Sequence, residues 1–564
     1  MAPENHNPVI NIAARMTQMA RQHPYKKAVI APQGRDRAGR VTYAHFTFAQ
    51  LDADSSRLAS GLEKAGIRRG TRTILMVRPS LDFFSLVFAL FKAGIVPVVV
   101  DPGMGVKRMV SCFAETDPQA FIGIPLAHVV RKIYPKFFKT VETWVTVGNR
   151  WFWGGHTLDR IRASGTEDYK TAETLSDETA AILFTTGSTG PAKGVVYTHG
   201  NFDAQIQHIQ DHFQIGSDET DLPTFPLFAL FDPALGMTAV IPDMDPTKPA
   251  FVNPERILEG IANHGVTNMF ASPALLNRVG GYCKKRNIVL PSLRRVVSAG
   301  APVHPSNIEQ FASALTDEAE VHTPYGASEA VPIISIGSRE ILTETKQMSE
   351  QGFGNCVGRP LEGIEVELIT ISDRPIEAWS DDLLVAPGDV GEFVVKADLV
   401  TRSYYNRPKD TAGAKIPDGD GFWHRMGDLA WMDNHGRFWF CGRKSHRVEC
   451  ADRTLFTVPC EAIFNNHPHV ARSALVGVGP AGGQTPVICI EVIKEKRIRK
   501  KELASELLDL ARTHELTKSI KTVLFHDNFP VDIRHNSKIF REKLAVWAAK
   551  KIKTKPRPSP KKRG

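Results

Sequence analysis

The 564-residue chain has few cysteines, no long apolar run and no acidic residue in its last fifteen positions. Its seven cysteines include no C-x-x-C pair, which argues against a disulfide framework and against a zinc site. The longest apolar candidate, residues 85–100, is interrupted by Lys92 and Pro97 and is too short to cross a bilayer. We therefore expect no transmembrane span.

The amino terminus also lacks a basic region followed by an apolar stretch, so we predict no secretory signal and expect a cytoplasmic protein. With 42% hydrophobic and 23% charged residues, the composition is that of a globular protein and excludes disorder for most of the chain. The usual nucleic-acid-binding motifs are missing from the sequence, so no nucleic-acid partner is predicted.

Positive charge is concentrated in the last fifteen residues, 550–564, which we call the tail. The tail contains eight lysines and arginines, and the whole chain has a net charge of +9. The tail is also rich in proline, and we predict that it stays flexible and solvated. A nucleic acid, an acidic protein or an anionic membrane would each complement its charge, and peripheral membrane association is one expectation. A purely solubilising role explains the tail equally well.

Short β-branched runs alternate with helical patterns through the first two-thirds of the chain. Residues 73–77 and 95–100 are predicted strands, whereas residues 81–92 and 106–115 are predicted helices. This alternation predicts an α/β fold in which parallel-rich sheets are layered with helices and ligands bind at the carboxyl ends of strands.

The pattern restarts on a smaller scale near residues 442–445. Further strands are predicted at residues 473–478, 487–492 and 522–525. Two amphipathic helices accompany them, one around Leu507 and one around Leu544. We therefore predict a large domain over residues 1–442, a small α/β domain over residues 443–549, and the tail.

The strongest chemical signal lies in residues 182–195, where an apolar strand leads into hydroxyl residues and glycines, then into Lys193. Glycines let backbone N–H groups approach an anion, hydroxyls donate hydrogen bonds, and lysine adds positive charge. The spacing differs from GxxxxGK[ST], because Gly194 follows the lysine. The predicted phosphate-binding residues are Thr185, Thr186, Gly187, Ser188, Thr189 and Gly190.

This loop resembles the phosphate loop of the adenylate-forming superfamily, which contains acyl-CoA synthetases, luciferases and peptide-synthetase adenylation domains. Further segments match the superfamily's motifs in their order along the chain: residues 89–98, 298–302, 325–329, 425–428, 442–443 and 536–541. Each motif alone is weak, but the ordered set covers nearly the whole chain.

The resemblance implies which residues bind the nucleotide. Besides the phosphate loop, they are Gly300, Ala301, Pro302, Tyr325, Gly326, Ser328, Asp428 and Arg443. Tyr325 would stack on the adenine, the Ser328 hydroxyl would contact the α-phosphate, and Asp428 would chelate the ribose hydroxyls.

The resemblance also implies Lys538, Glu329 and Lys193 as catalytic residues, with ATP and Mg²⁺ as cofactors. A carboxylate attacks the α-phosphorus of ATP, so catalysis requires positioning and neutralisation of charge rather than a general base. Glu329 would hold Mg²⁺ through ATP. Lys538 would arrive on a mobile small domain that turns about a hinge at Ser445.

Departures from the superfamily narrow the function. Asp452 stands where a glycine usually lines the pantetheine tunnel, and its charge disfavours a thiol arm. Ala229 replaces a histidine of many acyl-CoA ligases, and the glycine usually found before Lys538 is missing. In these departures, and in residues 101–105 and 242–246, the chain resembles the olefin-biosynthesis β-lactone synthetases of bacterial hydrocarbon pathways.

That subfamily implies ATP-dependent, AMP-forming closure of a long-chain 2-alkyl-3-hydroxy acid to a β-lactone, with other olefin-pathway enzymes as partners. The substrate's own 3-hydroxyl would attack the activated carboxyl, an arrangement favoured by proximity. Two alternatives stay open: a long-chain fatty acyl-CoA ligase, which would require CoA, and a non-catalytic adenylate-binding scaffold.

An apolar tunnel for the acyl chain is expected in the large domain, and the phenylalanine-rich residues 225–231 are a candidate wall. Ordinary core packing is the alternative for these phenylalanines. His199, His322 and His424 lie near the motifs, but a structural role is the more usual one for such histidines. The group that accepts the hydroxyl proton is therefore not predicted.

Overall fold

The structure is a computed structural model that describes residues 8–184, 192–225, 228–493, 499–531 and 539–553. The predicted phosphate loop at residues 185–190, Lys538 and tail residues 554–564 lie outside the described residues.

The described α-helices, in chain order, are α1 (Ala13–Gln22), α2 (Phe48–Lys64), α3 (Leu81–Lys92), α4 (Val106–Glu115), α5 (Pro125–Ile133), α6 (Leu158–Ser164), α7 (His199–Phe213), α8 (Phe231–Leu235), α9 (Pro254–His264), α10 (Pro273–Arg286), α11 (Pro305–Ala312), α12 (Ser338–Glu340), α13 (Lys346–Glu350), α14 (Pro408–Ala414), α15 (Thr457–Asn465), α16 (Lys500–Thr513) and α17 (Arg541–Lys553).

The described strands are β1 (Lys27–Arg35), β2 (Val41–Thr47), β3 (Arg72–Met76), β4 (Val96–Val100), β5 (Ala120–Gly123), β6 (Thr143–Thr146), β7 (His156–Thr157), β8 (Thr179–Phe184), β9 (Gly194–Thr198), β10 (Thr220–Pro223), β11 (Thr238–Val240), β12 (Asn268–Ala271), β13 (Arg295–Ser298), β14 (Glu320–His322), β15 (Tyr325–Ala327), β16 (Ala330–Ser335), β17 (Asn355–Pro360), β18 (Glu365–Ile369), β19 (Gly391–Lys396), β20 (Ser403–Tyr404), β21 (Lys415–Asp418), β22 (Gly421–Met432), β23 (Phe438–Arg443), β24 (Val448–Glu449), β25 (Thr454–Leu455), β26 (Val470–Val478), β27 (Thr485–Val492) and β28 (Thr522–Phe525).

Two large sheets are rich in parallel pairs. The first has the order β14-β13-β12-β10-β11-β1-β2 and is parallel except where β2 pairs with β1. The second has the order β20-β9-β8-β4-β3-β5-β6-β7, with antiparallel pairs only at β20 and β9. The predicted α/β class with parallel-rich sheets is confirmed.

A third sheet is antiparallel, with the order β15-β16-β17-β23-β22-β19-β18 and β21 paired to β22. The sequence pattern did not predict it. Its longest strand, β22, buries His424, Arg425 and Asp428 among apolar residues. The strand therefore lacks the strict alternation of polar and apolar residues by which a strand of this kind is recognised in a sequence.

Helix α3 has the predicted bounds and is the most apolar helix next to the site. Its N-terminus is capped by the Ser80 hydroxyl, which accepts from the Phe83 N–H at 3.2 Å. Lys92, which interrupts the apolar run, is fully buried and donates to the Asp52 carboxylate at 2.7 Å. Pairing and hydrogen bonding make this buried charge tolerable. Among the described residues no helix is both long and apolar enough to span a bilayer.

The hydrophobic clusters separate along the chain. Those of the three large sheets contain residues up to Phe440, whereas two further clusters contain only residues from Val448 onwards, packed around the β26-β27-β28 sheet. The predicted domain boundary near residue 442 stays a prediction. Helix α17 continues to Lys553, four residues past the predicted end of the small domain, because Ile552 extends the apolar face of Leu544 and Ala548.

Candidate active site

A cavity of about 670 Å³ lies between the large sheets and the start of the small domain. Seven of the predicted site residues line it: Lys193, Gly300, Gly326, Ser328, Glu329, Arg443 and Ser445. They come from segments up to 252 residues apart, which the three large sheets bring together at the ends of their strands. Ala301 and Pro302, in the loop after β13, do not line the cavity. Tyr325 and Asp428 do not line it either, but they contact the lining through Arg443, the partner of Asp428.

One corner of the site is built around the buried Asp428 carboxylate. Asp428 and Arg443 are register partners on the antiparallel strands β22 and β23, and Arg443 Nε lies 3.1 Å from Asp428 Oδ1. The Tyr325 hydroxyl donates to Asp428 Oδ2 at 2.6 Å. Strand pairing therefore explains how residues far apart in sequence form one cluster.

The Asp428 charge shifts the pKa values of the side chains around it. The negative charge of Asp428 raises the pKa of Arg443 above its usual value, although burial opposes the shift. Burial and the Asp428 charge together raise the pKa of Tyr325 well above its usual value, so its hydroxyl stays a donor. The Tyr325 ring packs on Phe393, with ring centroids 5.0 Å apart. Its stacking on adenine stays a prediction.

Glu329 follows β15 and faces the cavity. Its Oε1 accepts a hydrogen bond from the Tyr404 hydroxyl at 2.6 Å, and its main-chain carbonyl accepts from the Thr401 N–H at 2.9 Å. Burial and the Glu329 charge raise the pKa of Tyr404 far above its usual value. Proteins commonly bind Mg²⁺ through one or two carboxylates plus substrate phosphates, and Glu329 has the chemistry for such a site.

Lys193 lies beside the same tyrosine. Its Nζ is 2.8 Å from Asp410 Oδ1 and 4.8 Å from the centroid of the Tyr404 ring. The pairing of β20 with β9, in which Tyr404 is opposite Val195, brings these groups together. Tyr404 and Asp410 were missed by the sequence analysis, because nothing in their local sequence marks contacts to residues 75 and more than 200 positions away.

The predicted hinge residue Ser445 is exposed and lies in a 3₁₀ turn, Lys444–His446. The preceding Lys444 is held by Glu392, a fully buried carboxylate whose oxygens lie 2.8 and 2.9 Å from Lys444 Nζ. Glu392 also accepts from Arg425 at 2.6 Å. Burial lowers the pKa of Lys444, with Glu392 opposing the shift. The turn is thus tied to the third sheet by a buried charge cluster.

The histidines near the motifs differ in position. His199 and His322 do not line the cavity, and burial lowers the pKa of each to about 4. His424 does line it, but its Nδ1 lies 3.1 Å from the Ala414 carbonyl, and burial lowers its pKa well below the usual value. All three are neutral at physiological pH and have the features of structural histidines.

The opposite end of the cavity is apolar. Helix α3 contributes Phe83, Val87 and Phe91, spaced four residues apart and therefore on one face. The predicted wall, residues 225–231, contributes Phe225, Leu230 and Phe231, whereas residues 226 and 227 lie outside the described residues. Further apolar lining residues include Leu75, Val99, Phe202 and Ile206. One continuous cavity therefore joins a charged end to an apolar end.

Asp452, the residue predicted to obstruct a thiol arm, lies in the turn between β24 and β25. Its side chain is 69% exposed and lies 3.2 Å from Arg453 Nε. It does not line the cavity in this structure.

The comparison with known proteins assigns the family. The AMP-binding enzyme family matches residues 16–405. The chain belongs to this family. It is 46% identical to the olefin beta-lactone synthetase of Xanthomonas campestris pv. campestris over 96% of this chain and 97% of that protein. It is also 46% identical to the olefin beta-lactone synthetase of Stenotrophomonas maltophilia, over 96% of this chain and 98% of that protein.

Among solved structures, the anthranilate CoA ligase AuaEII in complex with anthranoyl-AMP has the same fold, with a TM-score of 0.77. That likeness covers 97% of this chain and 98% of the ligase at 18% identity, and so concerns the fold alone. Together these findings confirm the predicted adenylate-forming superfamily and the resemblance to olefin beta-lactone synthetases.

Proposed function

We propose that this AMP-binding enzyme closes a long-chain 2-alkyl-3-hydroxy acid to a β-lactone, with ATP as the activating substrate. The observation that carries the proposal is the 46% identity to olefin beta-lactone synthetases over nearly the full length of both chains. The cavity supports it independently, because its apolar end suits alkyl chains and its charged end suits a nucleotide.

The first step is adenylation. The substrate carboxylate attacks the α-phosphorus of ATP, a carboxyl–phosphate bond forms, and pyrophosphate leaves. Lys193, Arg443 and Mg²⁺ held by Glu329 would offset the negative charge on the phosphoryl oxygens, and Lys538 would add to this when the small domain closes. Asp428 would hold the ribose.

The second step is ring closure. The 3-hydroxyl oxygen attacks the activated carbonyl, and the bond from the carbonyl carbon to the AMP oxygen breaks. The products are the lactone, AMP and the hydroxyl proton, which is released to water. Both reacting groups belong to one molecule, so no second substrate has to bind. The apolar walls would hold the alkyl chains and so orient the hydroxyl toward the carbonyl.

To test this, the protein is incubated with ATP, Mg²⁺ and a 2-alkyl-3-hydroxy fatty acid, with and without CoA. The products are identified by mass spectrometry. We expect a β-lactone, AMP and pyrophosphate at rates that CoA does not change. A matched fatty acid without the 3-hydroxyl should give no more than about one equivalent of pyrophosphate, followed by slow hydrolysis.

Two outcomes would contradict the proposal. CoA-dependent turnover of the plain fatty acid, with an acyl-CoA product, would establish a long-chain acyl-CoA ligase instead. Absence of pyrophosphate release with any acid would leave a non-catalytic adenylate-binding protein.

A further inference from the structure

Two neighbouring segments, α5 and the loop between β6 and β7, expose apolar side chains that do not belong to the cavity lining. We call it the aromatic patch, and it consists of Leu126, Ile133, Trp151 and Phe152. Leu126 and Ile133 are 61% and 63% exposed and lie seven residues apart on α5, hence on one face. Trp151 and Phe152, in the loop between β6 and β7, are 55% and 89% exposed.

The loop is fixed against α5 by its next residue, Trp153, which is buried. The Trp153 indole N–H donates to the Thr146 hydroxyl at 3.0 Å, and its ring stacks on His128 with centroids 5.2 Å apart. Arg131 donates to the Trp153 carbonyl at 3.4 Å. These contacts attach the loop to the buried side of α5, and the neighbouring Phe152 stays exposed beside the packed Trp153.

Positive charge predominates in the segments that form the aromatic patch. Residues 124–140 and 147–156 contain no aspartate or glutamate, and the exposed acids Glu142 and Asp159 lie just beyond them in sequence. The segments present four exposed cations, which are Lys132, Lys136, Lys139 and Arg150. Exposed aromatic residues together with this excess of cations complement an anionic surface.

We propose that the aromatic patch docks on an anionic phospholipid bilayer. Trp151 and Phe152 would enter the interfacial region, where aromatic side chains are enriched, while the four cations pair with lipid phosphates. Helix α5, with nine residues, would lie on the membrane rather than span it. The aromatic patch shares no residue with the basic tail, and its function does not depend on the product of the enzyme.

The experiment measures co-sedimentation of the full chain with vesicles of phosphatidylcholine alone or mixed with phosphatidylglycerol. We expect binding to the mixed vesicles. The double variant Trp151→Ser/Phe152→Ser should lower the partition coefficient about tenfold, because two large side chains no longer leave water. Lys132→Gln/Lys136→Gln should weaken the preference for phosphatidylglycerol. Phe251→Ser removes another exposed aromatic side chain, at 79% exposure, and should leave binding unchanged.

Controls distinguish loss of the patch from misfolding and from binding through the tail. Pyrophosphate exchange with ATP and thermal melting should match the wild type in every variant, because the replaced side chains are exposed. A chain shortened by residues 554–564 should keep the sensitivity to Trp151→Ser/Phe152→Ser.

Three results would overturn the proposal: no sedimentation of the wild type, loss of all binding on removing the tail alone, or a patch-dependent dimer in light scattering without vesicle binding. The last result would make the surface an interface between copies of this chain.

Discussion

The two ends of the cavity are built by different means. At the charged end, the lining groups are held by partners distant in sequence: Arg443 by Asp428, Glu329 by Tyr404, and Lys193 by Asp410. At the apolar end, one face of α3 and the residues of α8 enclose space through burial alone. Directional contacts fix positions at the first end, whereas shape and volume define the second.

Substitutions at the two ends should therefore affect different quantities. Losses at the charged end should appear in adenylation or nucleotide affinity. Losses at the apolar end should appear in the choice of acid.

The largest effect is expected for Lys538→Ala, which removes the charge that the small domain would bring to the charged end. Adenylate formation should fall by about 10²–10³-fold, because a charge acting on the transition state is lost. ATP affinity should stay near that of the wild type. Pyrophosphate release and calorimetric titration of ATP measure the two quantities.

Lys543→Ala is the matched control, because this exposed lysine lies in the same domain on α17. Near-normal pyrophosphate release by Lys538→Ala would remove the residue from the proposed mechanism.

Next in size is Asp428→Asn, which keeps the shape of the side chain but removes the anion between Tyr325 and Arg443. Loss of a charged hydrogen-bond acceptor for the ribose should weaken ATP binding by about 1–3 kcal/mol. Isothermal titration with ATP measures the change, and Asp381→Asn, at an exposed carboxylate, serves as control. An unchanged affinity would reduce Asp428 to a structural partner of Arg443.

Val87→Phe tests the apolar end by filling space beside Phe83 and Phe91. We expect kcat/KM for a long-chain acid to fall by about tenfold while ATP affinity is unchanged, because one to three kcal/mol is a usual cost of overpacking an apolar site. Val87→Ala enlarges the same space and should shift preference toward longer chains. Chain-length profiles that coincide for both variants and the wild type would disprove this wall of the cavity.

The smallest effect concerns pH and His199, whose ring lies 6.3 Å from that of Phe91 in the apolar wall. Burial lowers the pKa of His199 to about 4, whereas an unfolded histidine titrates near 6.5. Below about pH 6.5 the unfolded chain binds a proton that the folded chain does not. The free energy of unfolding should therefore decline as the pH falls from 6.5 towards 4.

His199→Gln should reduce that decline in a denaturant series measured at several pH values. His156→Gln, at an exposed histidine, is the control. An identical pH dependence for His199→Gln and the wild type would show that His199 does not contribute to it.

Local patterns predicted several elements closely. Helices α3 and α4 and strand β28 have the predicted bounds, because their apolar periodicity and boundary residues agree with their burial. The predicted tail was too long at its start, because the apolar face of α17 continues to Ile552. The antiparallel third sheet was not predicted, because β22 buries charged residues. These residues form ion pairs with residues of the neighbouring strands β19 and β23.

The residues of the candidate site also fall into two groups, those with a local sequence signal and those without one. Short motifs with recognisable order predicted Glu329, Asp428, Arg443 and Lys193, since their chemistry is encoded in neighbouring residues. Tyr404, Asp410 and Glu392 have no such local signal, and the structure reveals them through contacts across strands.

Sequence patterns were enough to indicate the family, the α/β class and the residue types at the charged end, because each depends on short segments of chain. That the charged end and the face of α3 share one cavity follows from the packing of sheets and helices. The same packing leaves Trp151 and Phe152 exposed beside the buried Trp153. Both outcomes depend on how sheets and helices pack, and packing joins residues whose separation along the chain carries no local signal.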